Sequence, residues 1–223
     1  MWEYRNPGVT LSVWGCDDVT TQRRQDGDVI SMRRCDDVPA EIWRRQYGDV
    51  MISMLRRGDV RTQVQQGASS DTRCGDVMIS VSRCDDATAE MRRSQNGHLM
   101  ISMPRCDGFT AEMWRRQYGD VMISMTRGDD DRTQIYEHSN RGVTMSVQGC
   151  VHVTTQVRLR QCGDVTISLP RCDDATAEMR RLQHGDVVIS MPRCDDVTFK
   201  MWRCQHGDVM TSMPRCGDVS TQV

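Results

Sequence analysis

Residue types that bind metal ions recur near the ends of the repeats in the second half of this chain. Cys162, His184 and His206 are spaced by 22 residues. Cys204 lies two residues before His206. Imidazole nitrogen and thiolate sulfur are ligands that zinc prefers in proteins. If successive repeats stack, the sequence predicts a zinc site with the ligands Cys162, His184, Cys204 and His206. The alternative is that duplication of one codon placed two histidines on neighbouring surface turns.

A second repeated position carries six of the 11 cysteines, each beside an aspartate or a glycine. None of them belongs to a Cys-x-x-Cys motif, so they do not predict a zinc knuckle. The cysteine count is odd and the N-terminus has no apolar signal segment, which predicts reduced thiols. No repeated position groups a nucleophile with a base, and no glycine-rich phosphate loop is present. We therefore expect a protein that is not an enzyme and has no cofactor other than the zinc considered above. The six cysteines are Cys84, Cys106, Cys150, Cys172, Cys194 and Cys216.

These positions recur because the chain is a tandem repeat. From Gly75 onward a 22-residue unit repeats without a slip, as in GDVVISMPRCDDVTFKMWRCQH at 185–206. Before Gly75 the units are less regular, and a stretch that contains Gly-Ala-Ser-Ser breaks the pattern. The predicted organisation is an irregular front section (1–66), a joint (67–74) and a regular repeat array (75–223).

Each unit carries two segments in which every second residue is apolar, such as Val187, Ile189 and Met191. A period of two predicts half-buried strands, so we expect an all-β protein with two short strands per 22-residue repeat. The second segment has a rival interpretation as a helix, because 173–184 begins with acidic residues, has arginines near its C-terminal end and is followed by glycine. That alternative is an α/β solenoid with one strand and one short helix per repeat. β-branched copies such as Val153–Val157 favour the strand.

Two arrangements of the strands are compatible with the pattern. In a parallel β-solenoid the apolar positions of successive units stack into continuous columns. The same stacking places Asp76, Asp120 and the equivalent aspartates in one column, and like charges directly opposite each other cost up to about 1 kcal/mol per pair. An antiparallel meander, in which Val77 pairs with Met91, avoids that cost. The sequence predicts an all-β fold and leaves both arrangements open.

The charge pattern bears on the choice of partner. The formal net charge is -2. Arginine pairs such as Arg115–Arg116 beside Trp114 resemble a surface for RNA, but aspartate pairs alternate with them along the sequence, so we expect no nucleic-acid partner. No apolar stretch approaches the roughly 18 residues of a membrane helix, so we expect no membrane association. The absence of a targeting signal predicts a soluble, cytoplasmic protein.

Three functions follow from this pattern as hypotheses. The first is a non-enzymatic repeat scaffold that presents an extended surface to a protein partner. The second is a product of tandemly duplicated DNA with no selected activity, which the near-identical units suggest. The third is a metal-binding repeat module. In each case the core must contain many of the 17 methionines, and because methionine specifies packing poorly we expect a marginally stable fold.

Overall fold

A computed structural model describes most of the chain and contains strands and turns only. The described residues contain no helix, so the α/β solenoid with a short helix per repeat is wrong, and the all-β prediction is confirmed. The second segment of each unit forms a strand because its inward positions are apolar or small at a period of two, which suits a strand and not a helix. The described residues are 10–18, 21–23, 28–44, 49–55, 58–66, 75–93, 97–115, 119–137, 142–159, 163–181, 185–203 and 207–222.

Nineteen strands follow one another along the described residues. They are β1 (Thr10–Asp18), β2 (Thr21–Arg23), β3 (Asp28–Arg44), β4 (Val50–Leu55), β5 (Val60–Gln66), β6 (Val77–Val81), β7 (Cys84–Arg93), β8 (Leu99–Met103), β9 (Cys106–Arg115), β10 (Val121–Met125), β11 (Gly128–Glu137), β12 (Gly142–Val147), β13 (Cys150–Leu159), β14 (Asp164–Ser168), β15 (Cys172–Arg181), β16 (Val187–Ser190), β17 (Cys194–Arg203), β18 (Val209–Ser212) and β19 (Asp218–Gln222).

The strands form a parallel β-solenoid of two sheets, so the antiparallel meander is wrong. From β4 onward the even-numbered strands pair with one another in the first sheet and the odd-numbered strands in the second. The long strand β3 contributes its first half to the first sheet and its second half to the second. Each repeat is thus one coil, and equivalent residues of successive coils are direct neighbours, as Ile101 is of Ile123.

The aspartate column, which argued for the meander, is stabilised by hydrogen bonds in the stacked arrangement. The backbone N–H of Asp76 donates to Oδ1 of Asp49 at 2.8 Å. The N–H of Asp186 donates to Oδ1 of Asp164, and that of Asp208 to Oδ1 of Asp186, both at 3.0 Å. A hydrogen bond to a carboxylate contributes about 1.5–3 kcal/mol, which exceeds the roughly 1 kcal/mol of repulsion between neighbouring charges. The repulsion expected from the sequence was therefore outweighed by contacts that the column itself makes.

The core lies between the two sheets and consists of stacked columns of identical or similar residues. The first sheet contributes a valine column, an isoleucine column and a third column of methionine, valine and leucine. The isoleucine column is almost entirely inaccessible to solvent, and such burial of aliphatic side chains is the main stabilising term of the fold. Its buried members are Ile30, Ile52, Ile79, Ile101, Ile123, Met145, Ile167 and Ile189.

The second sheet faces these columns with a mixture of small and large side chains. Its buried positions include Ala89, Ala111 and Ala177 as well as the two phenylalanines, Phe109 and Phe199. The two sheets contact each other across the core, since the Thr155 hydroxyl lies 3.7 Å from the sulfur of Met145. Flexible methionine therefore packs here against a regular lattice of neighbours, which limits the disorder that methionine otherwise brings to a core.

The coils before and after the predicted joint are connected by strand pairing. β4 pairs with β6 and β5 pairs with β7, with Val50 opposite Val77 and Val60 opposite Ala87. Both sheets thus continue from the front section into the regular array. The joint itself (67–74) lies outside the described residues.

Glycine is required at Gly207, where the chain enters the coil that contains β18. Its φ is +150°, and a Cβ built there would collide with the carbonyl oxygen of Gly185. We expect Gly207→Ala to lower the free energy of unfolding by more than about 1 kcal/mol, because both the backbone conformation and the space exclude a side chain. Urea denaturation followed by circular dichroism measures this loss.

Gly142→Ala is the matched control. A Cβ at Gly142 would lie 3.6 Å from the carbonyl oxygen of Asp164, an ordinary contact, and the backbone there is not left-handed. Alanine at this position should leave stability unchanged or raise it by up to about 1 kcal/mol. Equal losses for the two variants would contradict the close approach of the two coils at Gly207.

Candidate functional site

The predicted zinc ligands cannot be placed by the structure. Cys162, His184, Cys204 and His206 all lie outside the described residues. Within the described ranges, no three histidine, cysteine, aspartate or glutamate side chains are grouped as a metal ion requires. Zinc binding by these four residues therefore stays a prediction.

The cysteines beside the turn between the two sheets form a column, which we call the cysteine column. Cys84 and Cys106 are joined by a disulfide between adjacent coils, with a Cα–Cα distance of 4.7 Å. The expectation of reduced thiols is wrong for this pair. Four other cysteines of the column, among those with described side chains, have free thiols, namely Cys150, Cys172, Cys194 and Cys216.

Between Cys106 and Cys150 the cysteine column is interrupted by a coil in which a carboxylate takes the place of a thiol. Gly128 occupies the cysteine position, and a Cβ there would lie only 3.0 Å from Oδ1 of Asp131. Asp131 itself occupies an inward position that carries alanine, valine or phenylalanine in other coils, and it is 4% exposed. Its Oδ2 accepts a hydrogen bond of 2.7 Å from the thiol of Cys150. The missing side chain at Gly128 thus makes room for the buried carboxylate.

Burial determines the protonation of this pair. Desolvation raises the pKa of Asp131 from 3.8 to about 6, Asp130 and Asp129 add a smaller rise, and the hydrogen bond from Cys150 opposes it. Burial and the neighbouring carboxylate raise the pKa of the Cys150 thiol well above its usual value. At neutral pH the pair is therefore a carboxylate and a thiol, and not a thiolate nucleophile.

A hollow of about 510 Å³ opens at the surface beside this interrupted coil. It exists because Gly128 and Gly149 replace a cysteine and an arginine of the repeat. Arg105, Arg127 and Arg171 line it, and so do two aspartates that offset much of their charge.

The outer face of the second sheet carries a column of arginines and aromatic rings. The rings of Trp114 and Tyr136 stack with centroids 4.2 Å apart, and the guanidinium group of Arg158 lies 5.3 Å from the Tyr136 ring centre. The aspartate pairs stand at the opposite ends of these strands, about 20 Å away, so they do not alternate with the arginines in space. The carboxylates nearest in sequence on this face are instead Glu90, Glu112 and Glu178, two residues before the column.

The outer face of the first sheet has a different character. β4, β6, β8 and β10 contain no ionisable residue, and their outward positions are methionine followed by serine. The methionines are between 38% and 46% exposed. We call this surface the methionine face; its methionines are Met51, Met78, Met100 and Met122, and its serines are Ser53, Ser80, Ser102 and Ser124.

Sequence reasoning had assigned methionine to the core and so did not identify this surface. The signal was available, because methionine also recurs at the position between the inward valine and isoleucine. At a period of two, a residue between two inward positions points to solvent. An apolar residue repeated at that position indicates a surface with a role other than solubility.

No protein-family model, curated protein or solved structure matches the chain. In the described part of the chain no helix is long and apolar enough to span a membrane. Function is therefore inferred from the surfaces and side chains described above.

Proposed function

We propose that the protein is a non-enzymatic repeat scaffold that binds a protein partner through the methionine face. The observation that carries the proposal is that four successive coils expose methionine at the same position on strands without a single charge. Isolated exposed apolar residues are normal on protein surfaces, whereas contiguous ones mark binding sites.

The chemistry of the face favours a protein ligand. Methionine is enriched at protein interfaces, and its flexible thioether adapts to different partner surfaces. Four strands spaced by about 4.8 Å and about 17 Å long cover roughly 300 Å². A stable interface covers about 800 Å² on each partner, so the methionine face is the apolar centre of such an interface and neighbouring coils form its rim. The partner is expected to offer a flat, uncharged surface.

The absence of an enzymatic role is proposed on the chemistry of the buried pair. Cys150 and Asp131 are the thiol and carboxylate placed closest together among the described contacts, and both are below 6% exposed. A substrate cannot reach them without opening the core, and the raised pKa of Cys150 keeps it protonated.

A single charge at the centre of the face tests the proposal. We expect Met100→Glu to reduce retention of the partner from an extract of the cells that make the protein by at least about tenfold, because binding would bury an unpaired carboxylate. Quantitative mass spectrometry of proteins retained by the immobilised wild type and variant measures the ratio for each protein. Met100 is an outward residue, so the variant should keep the thermal stability of the wild type.

Thr110→Glu is the matched control, since it places the same charge on the outer face of the second sheet in the same coil. Proteins kept by the wild type and by this control, but lost by Met100→Glu, support the proposal. Equal retention by all three contradicts it. If the wild type retains nothing above bare resin and sediments as a monomer, the hypothesis of a duplicated product without selected activity is favoured.

A further inference from the structure

The free part of the cysteine column repeats the backbone geometry of its disulfide-bonded part. Cys150 is paired with Cys172 in register, and Cys172 with Cys194. The same pairing relates Cys84 to Cys106, whose Cα atoms are 4.7 Å apart. Disulfides require Cα–Cα distances of about 4.4–6.8 Å, and neighbouring strands supply about 4.8 Å. Cys150 and Cys172, and likewise Cys172 and Cys194, thus meet the distance requirement.

The side chains are also close enough to interact. The thiol of Cys194 interacts with those of Cys172 and Cys216. The thiol of Cys216 additionally donates to the carbonyl oxygen of Met191 at 3.0 Å, and that of Cys194 to the carbonyl oxygen of Leu169 at 3.5 Å. To join, the sulfurs must rotate away from these hydrogen bonds and, for Cys150, from the hydrogen bond to Asp131.

We propose that Cys150, Cys172, Cys194 and Cys216 form a redox-responsive clasp, in which neighbouring thiols close into disulfides between coils by exchange with a small disulfide such as oxidised glutathione. Each closure oxidises two cysteine thiols and reduces one glutathione disulfide to two molecules of glutathione. Complete closure gives the pairs Cys150–Cys172 and Cys194–Cys216. The clasp is a property of the fold, separate from partner binding by the methionine face.

The exchange begins at the accessible thiol. Cys216 is partly exposed, whereas Cys150, Cys172 and Cys194 are buried. The Cys216 thiolate attacks one sulfur of oxidised glutathione, and the first glutathione leaves as a thiolate that takes up the proton. The Cys194 thiolate then attacks the Cys216 sulfur of the mixed disulfide, which releases the second glutathione and leaves Cys194–Cys216.

The bond then moves inward along the column. The Cys172 thiolate attacks the Cys194 sulfur, forms Cys172–Cys194 and releases Cys216 as a thiolate. Attack by Cys150 on Cys172 forms Cys150–Cys172 and frees Cys194. Cys194 and Cys216 are then available for a second glutathione disulfide. No further oxidant is needed, since the internal steps only exchange partners.

Burial makes the exchange slow and dependent on pH. It raises the pKa of Cys172 to about 12 and the pKa of Cys194 above its usual value. The thiolate is the attacking species, and its fraction rises about tenfold per pH unit below the pKa. Closure should therefore accelerate from pH 7 to pH 9.

Trypsin separates the four cysteines, which makes the pairing measurable. Arg171, Arg193 and Arg215 directly precede Cys172, Cys194 and Cys216, and Cys150 falls in the peptide 142–158. The fully reduced protein is incubated in glutathione buffers of increasing oxidised fraction, blocked with N-ethylmaleimide, digested and analysed by mass spectrometry. We expect disulfide-linked peptides between neighbours of the column, reversal by dithiothreitol, and a melting temperature raised on the order of 5–10 °C per disulfide.

Cys194→Ser supplies the internal control, because it removes the partner of Cys216. In this variant Cys150–Cys172 should no longer form by transfer along the column, and Cys216 should accumulate as the glutathione adduct. The Cys84–Cys106 peptide pair is the reference, because its closure shows that the buffer oxidises cysteines of adjacent coils. The proposal is overturned if the four thiols of the wild type stay free when Cys84–Cys106 has closed, if only adducts form, or if the linked peptides join different molecules.

Discussion

Replacing Ile123 with alanine will lower the free energy of unfolding by about 2–5 kcal/mol. Ile123 is fully buried in the isoleucine column, between Ile101 and Met145 of the adjacent coils. Truncation removes apolar contacts and leaves a cavity that stacked neighbours on both sides cannot collapse to fill. Urea denaturation monitored by circular dichroism gives the value directly.

The adjacent residue in β10 is the control for this variant. Met122 points outward and is 46% exposed. Met122→Ala should change the free energy of unfolding by less than about 1 kcal/mol, because the side chain is not packed in the core. A shift of the strand by one residue would exchange the two results, so a larger loss for Met122→Ala than for Ile123→Ala contradicts the register.

The buried carboxyl group of Asp131 makes stability fall by about 3 kcal/mol as pH rises from about 4 to 6. Its pKa is raised from 3.8 to about 6 by burial. Well below pH 3.8, the group is protonated in both states. Between these values the unfolded chain releases the proton while the folded chain keeps it, which favours unfolding as pH rises. Well above pH 6 the group is ionised in both states, and the loss is complete.

Asp131→Asn isolates this contribution from those of the other carboxyl groups. The amide keeps the shape of the side chain and can still accept the hydrogen bond from Cys150, but it does not titrate. Unfolding free energies of both proteins are measured from pH 3.5 to 7.5, and the wild type minus the variant should decrease across the interval from pH 4 to 6. Parallel curves would show that Asp131 is not buried as described.

The core could be predicted from the sequence because its positions are simple consequences of the repeat. Once Val187, Ile189 and Met191 are placed on one face of a strand, the 22-residue spacing brings their equivalents together. What could not be predicted was whether the strands stack in parallel. That choice depended on the aspartate column. In the sequence the column suggests repulsion between like charges, but in the fold its carboxylates accept hydrogen bonds from backbone N–H groups.

The candidate site was harder to predict, because it depends on departures from the repeat. In the sequence, Gly128 and Asp131 each look like an unrelated loss of the repeat pattern. Their proximity, with Oδ1 of Asp131 filling the space of the absent side chain, emerges only from coordinates. The available signal was that one coil loses a side chain at one inward position and gains a carboxyl group at another. The Cys150 thiol that completes the pair lies in the next coil.

The interruption at Gly128 separates Cys84 and Cys106 from the four free thiols of the cysteine column. Cys106 and Cys150 are two coils apart, about 9.6 Å, which is beyond the reach of a disulfide. Thiol–disulfide exchange cannot pass across that coil. The redox state of Cys84–Cys106 therefore does not depend on exchange among the four cysteines beyond it. A single glycine therefore lets these two groups of cysteines respond to a change in redox conditions independently of each other.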